Sequence, residues 1–306
     1  MSAISALKFM FISKGPRGAF QRFLTVKKRF ALSPKKQIDF IKHYISLLKK
    51  HNFKATFFIS AKILEKHIQD LEAVSSDSIE WGIHGFIHKD MSELKPDELK
   101  EHISRAVAIF DRYGIAFRGF RAPYLRANIY NAKILAESGR FLYDSSTSII
   151  WDEFYGQKHN YFNWVNNFYN PILHSDKASL PNKENVLIEL PVSLPDDDIL
   201  IDKEIYNAEE ALLLWKNILR FCHEKNEMFI LQLHPERIFE LNNTLEALMV
   251  EARKLTPPLW ITTLTQLAEW KRDNGATANR WPSPYQGAFC LTGDIDSITI
   301  QDFIDR

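Results

Sequence analysis

Short apolar runs alternate with amphipathic helical patterns along most of the chain. Residues 54–60 (KATFFIS) are rich in β-branched and aromatic side chains, which favour a buried strand. Before them, Ser33 and Pro34 are typical of a helix start, and apolar residues then recur at helical spacing. The same patterns predict strands at residues 79–84, 117–121, 141–144, 185–190, 228–234 and 259–262, and helices at residues 96–113, 208–224, 239–255 and 263–275.

This alternation predicts an α/β fold, with a parallel sheet or barrel and helices outside it. A length of 306 residues with 45% apolar composition suits one large core or at most two domains. In such folds the chemistry lies at the carboxyl ends of the strands. Polar residues that follow predicted strands are therefore the candidates for a functional site.

Charge and cysteine content narrow the classes of function. Lys and Arg total 39 and Asp and Glu total 38, which gives no support to a general nucleic-acid binder. Cys222 and Cys290 make neither a disulfide framework nor a Cys-x-x-Cys metal site. No run reaches the roughly 18 apolar residues that span a bilayer, and no signal peptide is evident. We therefore expect a cytoplasmic protein.

The N-terminal segment, residues 1–32, is strongly basic. No Asp or Glu occurs within residues 1–36, and apolar side chains lie among the basic ones at near-helical spacing: Phe20, Phe23, Leu24 and Phe30. One interpretation is peripheral docking to the inner membrane or to a lipid-linked glycan. The other, more common for amphipathic helices, is a surface helix whose aromatic face packs on the body.

Two histidines follow the strand predicted at residues 79–84. His84 and His88 form a His-x-x-x-His motif, and imidazoles four residues apart on a helical turn can share one metal ion. The chain has ten histidines, so a pair at this spacing also arises by chance.

A late apolar run, residues 288–291, leads into Asp294-Ile295-Asp296. Alternate residues of an extended segment face the same side, so both carboxylates can enter one pocket. One carboxylate could then bind a metal while the other acts as a base. The alternative is acidic capping of a helix predicted at residues 297–304.

Two further candidates follow predicted strands. Arg121 begins the run Arg121-Ala122-Pro123-Tyr124, where an arginine can hold a nearby carboxylate in its ionised form or simply occupy a surface turn. His234 ends the strand predicted at residues 228–234, a position that suits a general acid or a core histidine bonded to the backbone.

Together these segments resemble the polysaccharide deacetylase family, the NodB-homology enzymes of carbohydrate esterase family 4. The matching motifs are His84-x-x-x-His88, Arg121-x-Pro123-Tyr124 and Leu231-x-Leu233-His234, with support from residues 55–58, 143–146 and 189–191. The resemblance extends over residues 33–271. It implies an irregular (β/α)7-type, NodB-like barrel and a metal-dependent hydrolase that removes an N-acetyl group from a sugar.

The chain departs from this family at its start. Family members carry paired aspartates on their first strand, whereas residues 1–30 contain none. We therefore expect a circular permutation, in which the C-terminal strand supplies the family's first strand with Asp294 and Asp296. The expected divisions are a basic segment at residues 1–32, a deacetylase barrel at 33–273, a linker at 274–286, and a strand and helix at 287–306 that complete the barrel.

The resemblance also implies a metal site. Asp296, His84 and His88 would bind one divalent ion, with Zn²⁺ as the first expectation and Mn²⁺, Co²⁺, Ni²⁺ or Fe²⁺ as alternatives. Family aspartates are often adjacent, and here one residue separates them. Which of Asp294 and Asp296 is the base and which is the ligand therefore stays open.

The remaining roles follow from the same motifs. Asp294 would be the general base, Arg121 would keep it charged, and His234 would be the general acid. The backbone N–H of Tyr124 would help bind the oxyanion. An acidic residue should orient His234, and the candidates are Asp196, Asp197, Asp198 and Asp144. For at least two of the three consecutive aspartates, the expected environment is a solvated loop.

The leading hypothesis is a cytoplasmic, and optionally membrane-peripheral, deacetylase of a lipid-linked or nucleotide-linked sugar or of an O-antigen or capsule precursor. An aromatic-rich stretch would supply sugar platforms or simply pack in the core: Trp151, Tyr155, Tyr161, Phe162 and Trp164. A small closed pocket would instead favour a non-sugar amide such as a cyclic ureide. A non-catalytic carbohydrate-binding protein gains support if Asp294 and Asp296 lie away from the histidines.

Overall fold

The computed structural model describes residues 25–154, 159–184, 187–202, 206–275 and 281–306. The helices are α1 Lys35–Lys50, α2 Ala61–Lys66, α3 Ile68–Glu72, α4 Pro96–Arg112, α5 Asn131–Glu137, α6 His159–Tyr169, α7 Ala208–Lys225, α8 Ile238–Lys254, α9 Leu264–Asn274 and α10 Ile300–Asp305. The strands are β1 Ala55–Ile59, β2 Ile79–Ile83, β3 Phe117–Phe120, β4 Tyr143–Asp144, β5 Ser148–Ile150, β6 Ile172–Leu173, β7 Asn182–Glu184, β8 Leu187–Glu189, β9 Val192–Leu194, β10 Met228–Leu233, β11 Trp260–Ile261 and β12 Ala288–Ile295.

The strands form an irregular parallel barrel. The pairing order runs β6-β5-β9-β10-β12-β1-β2-β3-β4-β8-β7. Only a few residues separate β4 from β5, and likewise β8 from β9, so each pair forms one interrupted strand. The two interrupted strands lie side by side, with β4 paired to β8 and β5 paired to β9. Hydrogen bonds from Leu190 N to Asp144 O and from Val192 N to Thr147 O continue this pairing across the two interruptions. Seven strand positions thus close a ring, which confirms the predicted barrel of the α/β class.

The C-terminal strand β12 lies in the middle of this sheet. It pairs in parallel with β1 on one side and β10 on the other. All eight of its residues are buried, and a Cβ added at Gly293 would lie 2.8 Å from the ring of Phe57. A larger residue at position 293 would therefore clash with Phe57, because the interior is closely packed.

The helix that follows β12 is tied to the barrel by its N-terminal turn. Thr299 caps α10, and Asp302 returns the capping-box bond. The same Asp302 carboxylate accepts a bond of 2.9 Å from His67 and one of 2.5 Å from Lys66. Burial opposes the charge, but these partners lower the pKa of Asp302. Acidic capping by Asp294 and Asp296 is therefore wrong for this helix, because Thr299 and Asp302 cap it.

The helices pack their apolar faces on the outside of the ring. The main core combines Ile41, Tyr44 and Leu48 of α1 with Phe57 of β1 and Phe289 of β12. This is the arrangement that the alternating pattern predicts for helices covering a parallel sheet. The helices of the described residues include none that is long and apolar enough to cross a bilayer.

The predicted divisions map unevenly onto the described residues. In the basic N-terminal segment, residues 1–24 lie outside them, and Val26 and Phe30 are buried. In the predicted linker, residues 276–280 lie outside them. Trp281 is buried, and its indole donates to the carbonyl of Asn226 at 3.1 Å. For the strand predicted at 185–190, residues 185–186 lie outside, and the rest forms β8.

Candidate active site

Three chain segments end in one layer at the carboxyl edge of the barrel. Ile59 of β1 pairs with Ile295 of β12 and with Ile83 of β2. The residues one step further along, Asp296 and His84, therefore lie at the same level on either side of β1. Asp296 is close to both histidines of the motif, with Oδ1 lying 3.5 Å from His84 Nε2 and 3.2 Å from His88 Nε2.

The donor atoms of this group fit a metal ion. His84 Nδ1 lies 2.9 Å from the carbonyl oxygen of Arg121, an acceptor, so Nδ1 carries the proton. This contact leaves Nε2 as the ring nitrogen that could bind a metal ion beside the carboxylate. Asp296 Oδ1 is buried and has no hydrogen-bond partner among the described residues. The three ligand atoms lie within 4.8 Å of one another, a spacing that suits one shared ion.

The pKa shifts of His88 and Asp296 favour the forms that bind a metal ion. Burial lowers the pKa of His88 to about 4, so the imidazole is neutral at pH 7. Burial opposes the charge of Asp296, but the neighbouring histidines and Arg306 hold its pKa well below the usual value. Neutral imidazole and ionised carboxylate are the forms that ligate metals.

Asp294 occupies the same strand face but has a different partner. Its Oδ1 accepts a hydrogen bond of 2.8 Å from Arg121 Nη1, and its Oδ2 lies 3.8 Å from His84 Nε2. Arg121 is fully buried, and it also donates to Thr292 Oγ1 and to Ser145. A buried arginine held by both Ser145 and Thr292 keeps a neighbouring carboxylate oriented.

His234 faces the pocket with an acidic partner behind it. Its Nδ1 lies 2.6 Å from Asp197 Oδ1, and its backbone N–H donates to the other oxygen of that carboxylate. Burial works against a charged ring, but Asp197 outweighs it and raises the pKa of His234 well above the usual value. Among the four predicted acidic partners Asp197 is the one that contacts His234. Asp144 instead binds Asn131 and Ser146.

The solvated loop expected for the consecutive aspartates is wrong. Asp196 and Asp197 are 1% and 0% exposed, and Asp198 pairs with Arg237 at 2.6 Å. Burial, followed by the charges of Asp198 and Asp197, raises the pKa of Asp196 to about 8. The sequence could not show this, because three adjacent acidic residues are usually solvated and only the barrel end makes them interior.

Tyr124 packs against His88 and has a left-handed backbone conformation. Its φ is 60° and that of Leu125 is 54°, a region that non-glycine residues seldom adopt. The ring centroid of Tyr124 lies 4.3 Å from that of His88. Such strain persists only where the surroundings enforce it, and it concentrates at functional sites.

All seven predicted site residues converge on one place. A pocket of about 220 Å³ is lined by His84, His88, Tyr124, His234, Asp294 and Asp296. Arg121 lies beneath it and reaches it through Asp294. Trp164, Phe168 and Phe30 contribute aromatic walls.

The aromatic-rich stretch divides between pocket and core. Trp164 lines the pocket and stacks on Phe168 at 5.4 Å. Trp151 is fully buried against the ring of His174 at 4.2 Å, so the platform role is wrong for this residue. Tyr155 and the side chain of Tyr161 lie outside the described residues, and Phe162 packs in a small core.

A second group also has the composition of a metal site. Asp152, Glu153 and His174 bring their ligand atoms within 4.8 Å of one another. Both nitrogens of His174 already bind carboxylates, Glu153 on one side and Glu227 at 2.8 Å on the other. Burial is outweighed by these carboxylates, which raise the pKa of His174 and favour a protonated ring. A protonated imidazole cannot ligate, so we regard this group as an ion-pair cluster.

Comparison with known proteins supports the family resemblance. The family model described as polysaccharide deacetylase matches residues 34–142. The peptidoglycan-N-acetylglucosamine deacetylase of Bacillus cereus is 28% identical over 88 residues, which are 28% of this chain. The chain covers 32% of that protein and 21% of a second curated relative, so it spans a third or less of their length.

Solved structures share the fold over most of the chain. A Mycobacterium smegmatis protein assigned as a polysaccharide deacetylase superposes with a TM-score of 0.62 at 21% identity, covering 82% of each chain. The PuuE allantoinase gives a TM-score of 0.60 at 16% identity, covering 77% of this chain and 72% of its own. Residues 34–142 thus match the polysaccharide deacetylase family, and the chain shares the barrel fold of these structures, as its motifs predict.

Sequence reasoning missed several residues that hold the site. Thr292 faces Arg121 from β12, two residues before Asp294, and its position on the same strand face was the available signal. Arg306 donates to Asp296 Oδ2 at 2.8 Å, and no motif indicates it.

The geometry predicts different effects for the two aspartates of β12. Asp296→Asn should abolish binding of one equivalent of divalent metal, because it removes the ligand that both histidines face. Asp294→Asn should retain the metal, since Arg121 holds that carboxylate. Metal content after dialysis of the purified proteins measures both effects. His43→Asn, a histidine that binds Asn242 on the helical layer, is the control and should change nothing. Loss of metal from Asp294→Asn with retention in Asp296→Asn would reverse the assignment.

Proposed function

We propose that this chain is a metal-dependent hydrolase that removes the acetyl group from an N-acetylated sugar. One observation carries the proposal. The His84–His88–Asp296 group, the Asp294–Arg121 pair and the His234–Asp197 pair all border one pocket. A ligand set, a base and an acid around one cavity are the parts that amide hydrolysis requires.

The metal would be held by His84 Nε2, His88 Nε2 and Asp296 Oδ1, with Zn²⁺ as our first choice. When bound, a divalent ion in such a site polarises the amide carbonyl and acidifies a water molecule. Asp294 lies beside this group, and its Oδ2 is free of the Arg121 contact that holds Oδ1. We assign Asp294 as the base that accepts the water proton.

The leaving amine requires a proton, and His234 is placed to donate it. Asp197 fixes the ring through Nδ1, which turns Nε2 toward the pocket. The raised pKa of His234 means that the ring enters the reaction protonated at neutral pH. We assign the backbone N–H of Tyr124 to the oxyanion, because its strained turn lies against His88.

The size of the pocket limits the substrate. Drug-sized ligands occupy clefts of roughly 300–1,000 Å³. The pocket here measures about 220 Å³, and Trp164 and Phe168 stand at its wall. A single acetylated sugar unit on an aromatic wall suits this space, so a nucleotide-linked or lipid-linked sugar precursor is a better candidate than the interior of a long polymer. Such substrates would place the protein in the cytoplasm or at the inner membrane face.

A small non-sugar amide is the second candidate. The small volume of the pocket favours it, because a cyclic ureide needs less room than a sugar. Non-catalytic carbohydrate binding is less well supported, since it required Asp294 and Asp296 to lie away from the histidines, and Asp296 Oδ1 lies 3.2 Å from His88.

We further propose that the chain is circularly permuted relative to its family. β12 lies between β10 and β1, the neighbours expected for a family first strand that precedes the helix at Ser33. Its aspartates reach the histidine motif from there. This placement supports the four predicted divisions of the chain, with residues 287–306 completing a barrel built from 33–273.

Acetate release tests the proposed reaction. Zinc-loaded wild-type protein should release acetate from N-acetylglucosamine or its nucleotide-linked form. His234→Asn should lose roughly 10²–10⁴ of kcat while retaining metal, because general acid catalysis contributes that much. Allantoin serves as the ureide probe. Hydrolysis of allantoin alone would favour the second candidate, and no turnover of either compound by metal-loaded protein would contradict the proposal.

The dependence of activity on pH should reveal the His234–Asp197 pair. The carboxylate raises the pKa of His234, so a protonated acid persists above neutral pH and kcat/KM falls only when the ring loses its proton. Asp197→Asn removes that charge and should move the basic limb to lower pH by about one unit or more. Arg237, Glu236 and Asp296 also face this ring and are unchanged in the variant.

The matched control for this profile is Asp198→Asn. Asp198 pairs with Arg237, and among the described residues it makes no hydrogen bond to His234. Its variant should keep the wild-type basic limb. If the basic limb of the pH profile does not shift in Asp197→Asn, a group other than the His234–Asp197 pair determines that limb.

A further inference from the structure

Asp294, near the end of β12, and Asp296, just after it, each have their own arginine. Arg121 Nη1 donates to Asp294 Oδ1 at 2.8 Å from below the site. Arg306, the residue after α10, donates through Nη1 to Asp296 Oδ2 at 2.8 Å. Each arginine thus binds one carboxylate. Arg121 follows β3 and binds Oδ1 of Asp294, whereas Arg306 follows α10 and binds Oδ2 of Asp296.

Because of the contact with Arg306, the two carboxylate oxygens of Asp296 have different surroundings. Oδ2 is occupied by the guanidinium, whereas Oδ1 faces His84 Nε2 and His88 Nε2 and has no other hydrogen-bond partner among the described residues. A carboxylate that rotated about its χ2 bond would exchange these oxygens. The charge-assisted bond opposes that rotation, because such bonds are short and strong.

Arg306 is itself held in place. Its guanidinium carbon lies 4.3 Å above the ring of Phe303, one turn earlier on α10, and its side chain is 19% exposed. The helix is anchored through Asp302 to His67 and Lys66. The barrel thus fixes the arginine, and the arginine fixes the carboxylate.

We propose that Arg306 is a positioning residue for the metal centre, which presents Asp296 as a ligand through Oδ1 alone. The inference rests on the proposed metal-dependent function. It also separates the roles of the two aspartates, since Arg121 holds Asp294 beside the site as the base while Arg306 holds Asp296 as the ligand. Partners that orient a ligand change metal affinity when they are removed, typically by about 10–100-fold.

Zinc binding to the metal-free full-length protein, followed by isothermal titration calorimetry, tests the proposal without any substrate. Arg306→Met keeps the length and the apolar stem but removes the donors, and its zinc affinity should fall by about 10–100-fold. Arg306→Lys keeps one charged donor, and its affinity should lie between those of wild type and Arg306→Met. Arg112→Met, which breaks the exposed pair with Glu65, is the matched control and should bind zinc like wild type.

The outcomes distinguish this inference from the proposed function. Wild-type affinity in Arg306→Met would overturn the positioning role, and a change in KM alone would assign Arg306 to substrate contact instead. Wild-type protein that binds no zinc would refute the proposed function itself. If Arg306→Met does not fold by circular dichroism, Arg306→Lys carries the test, and unchanged affinity in that folded variant would count against the proposal.

Discussion

The parallel pairing of β12 with β1 and β10 is the constraint on which the site depends. A parallel strand pair aligns its residues in register, so placing Leu291 beside both Ala55 and Leu231 also determines where the strand ends. Asp296 then emerges level with His84, one residue beyond a matched pair of isoleucines. A shift of one residue would turn both aspartates to the other face of the sheet. The grouping of His84, His88 and Asp296 is therefore a consequence of backbone hydrogen bonding, although Asp296 lies more than 200 positions from the histidines in sequence.

Burying two carboxylates side by side is costly unless each is compensated, and this barrel compensates them separately. Arg121 is buried and donates to Ser145, between β4 and β5, and to Thr292 of β12 as well as to Asp294. Arg306 approaches from the helical layer and takes one oxygen of Asp296. His234 and Asp197 form a third buried charge pair across the same pocket. These opposing environments surround one pocket, and they are the basis for the separate roles that we propose for Asp294, Asp296 and His234.

Much of this could be predicted from sequence, for physical reasons that differ between features. The alternation of apolar runs predicts the barrel, because strands buried on both faces and amphipathic helices have distinct periodicities. His84, Arg121 and His234 stand directly after strands, so strand prediction also locates them. The sequence alone does not distinguish the four acidic residues that could orient His234. The choice depends on how the chain turns after Leu194 at the barrel end. Arg306 was not predicted, because only the anchoring of α10 brings it to Asp296.

The most direct test of this account is an anomalous diffraction experiment on crystals of the zinc-loaded protein. We expect one strong peak at the carboxyl edge of the barrel, within about 2.0–2.2 Å of His84 Nε2, His88 Nε2 and Asp296 Oδ1. Asp294 should remain bonded to Arg121 and should not coordinate the ion. A peak at Asp152, Glu153 and His174, or an ion bound by the histidines without Asp296, would contradict it.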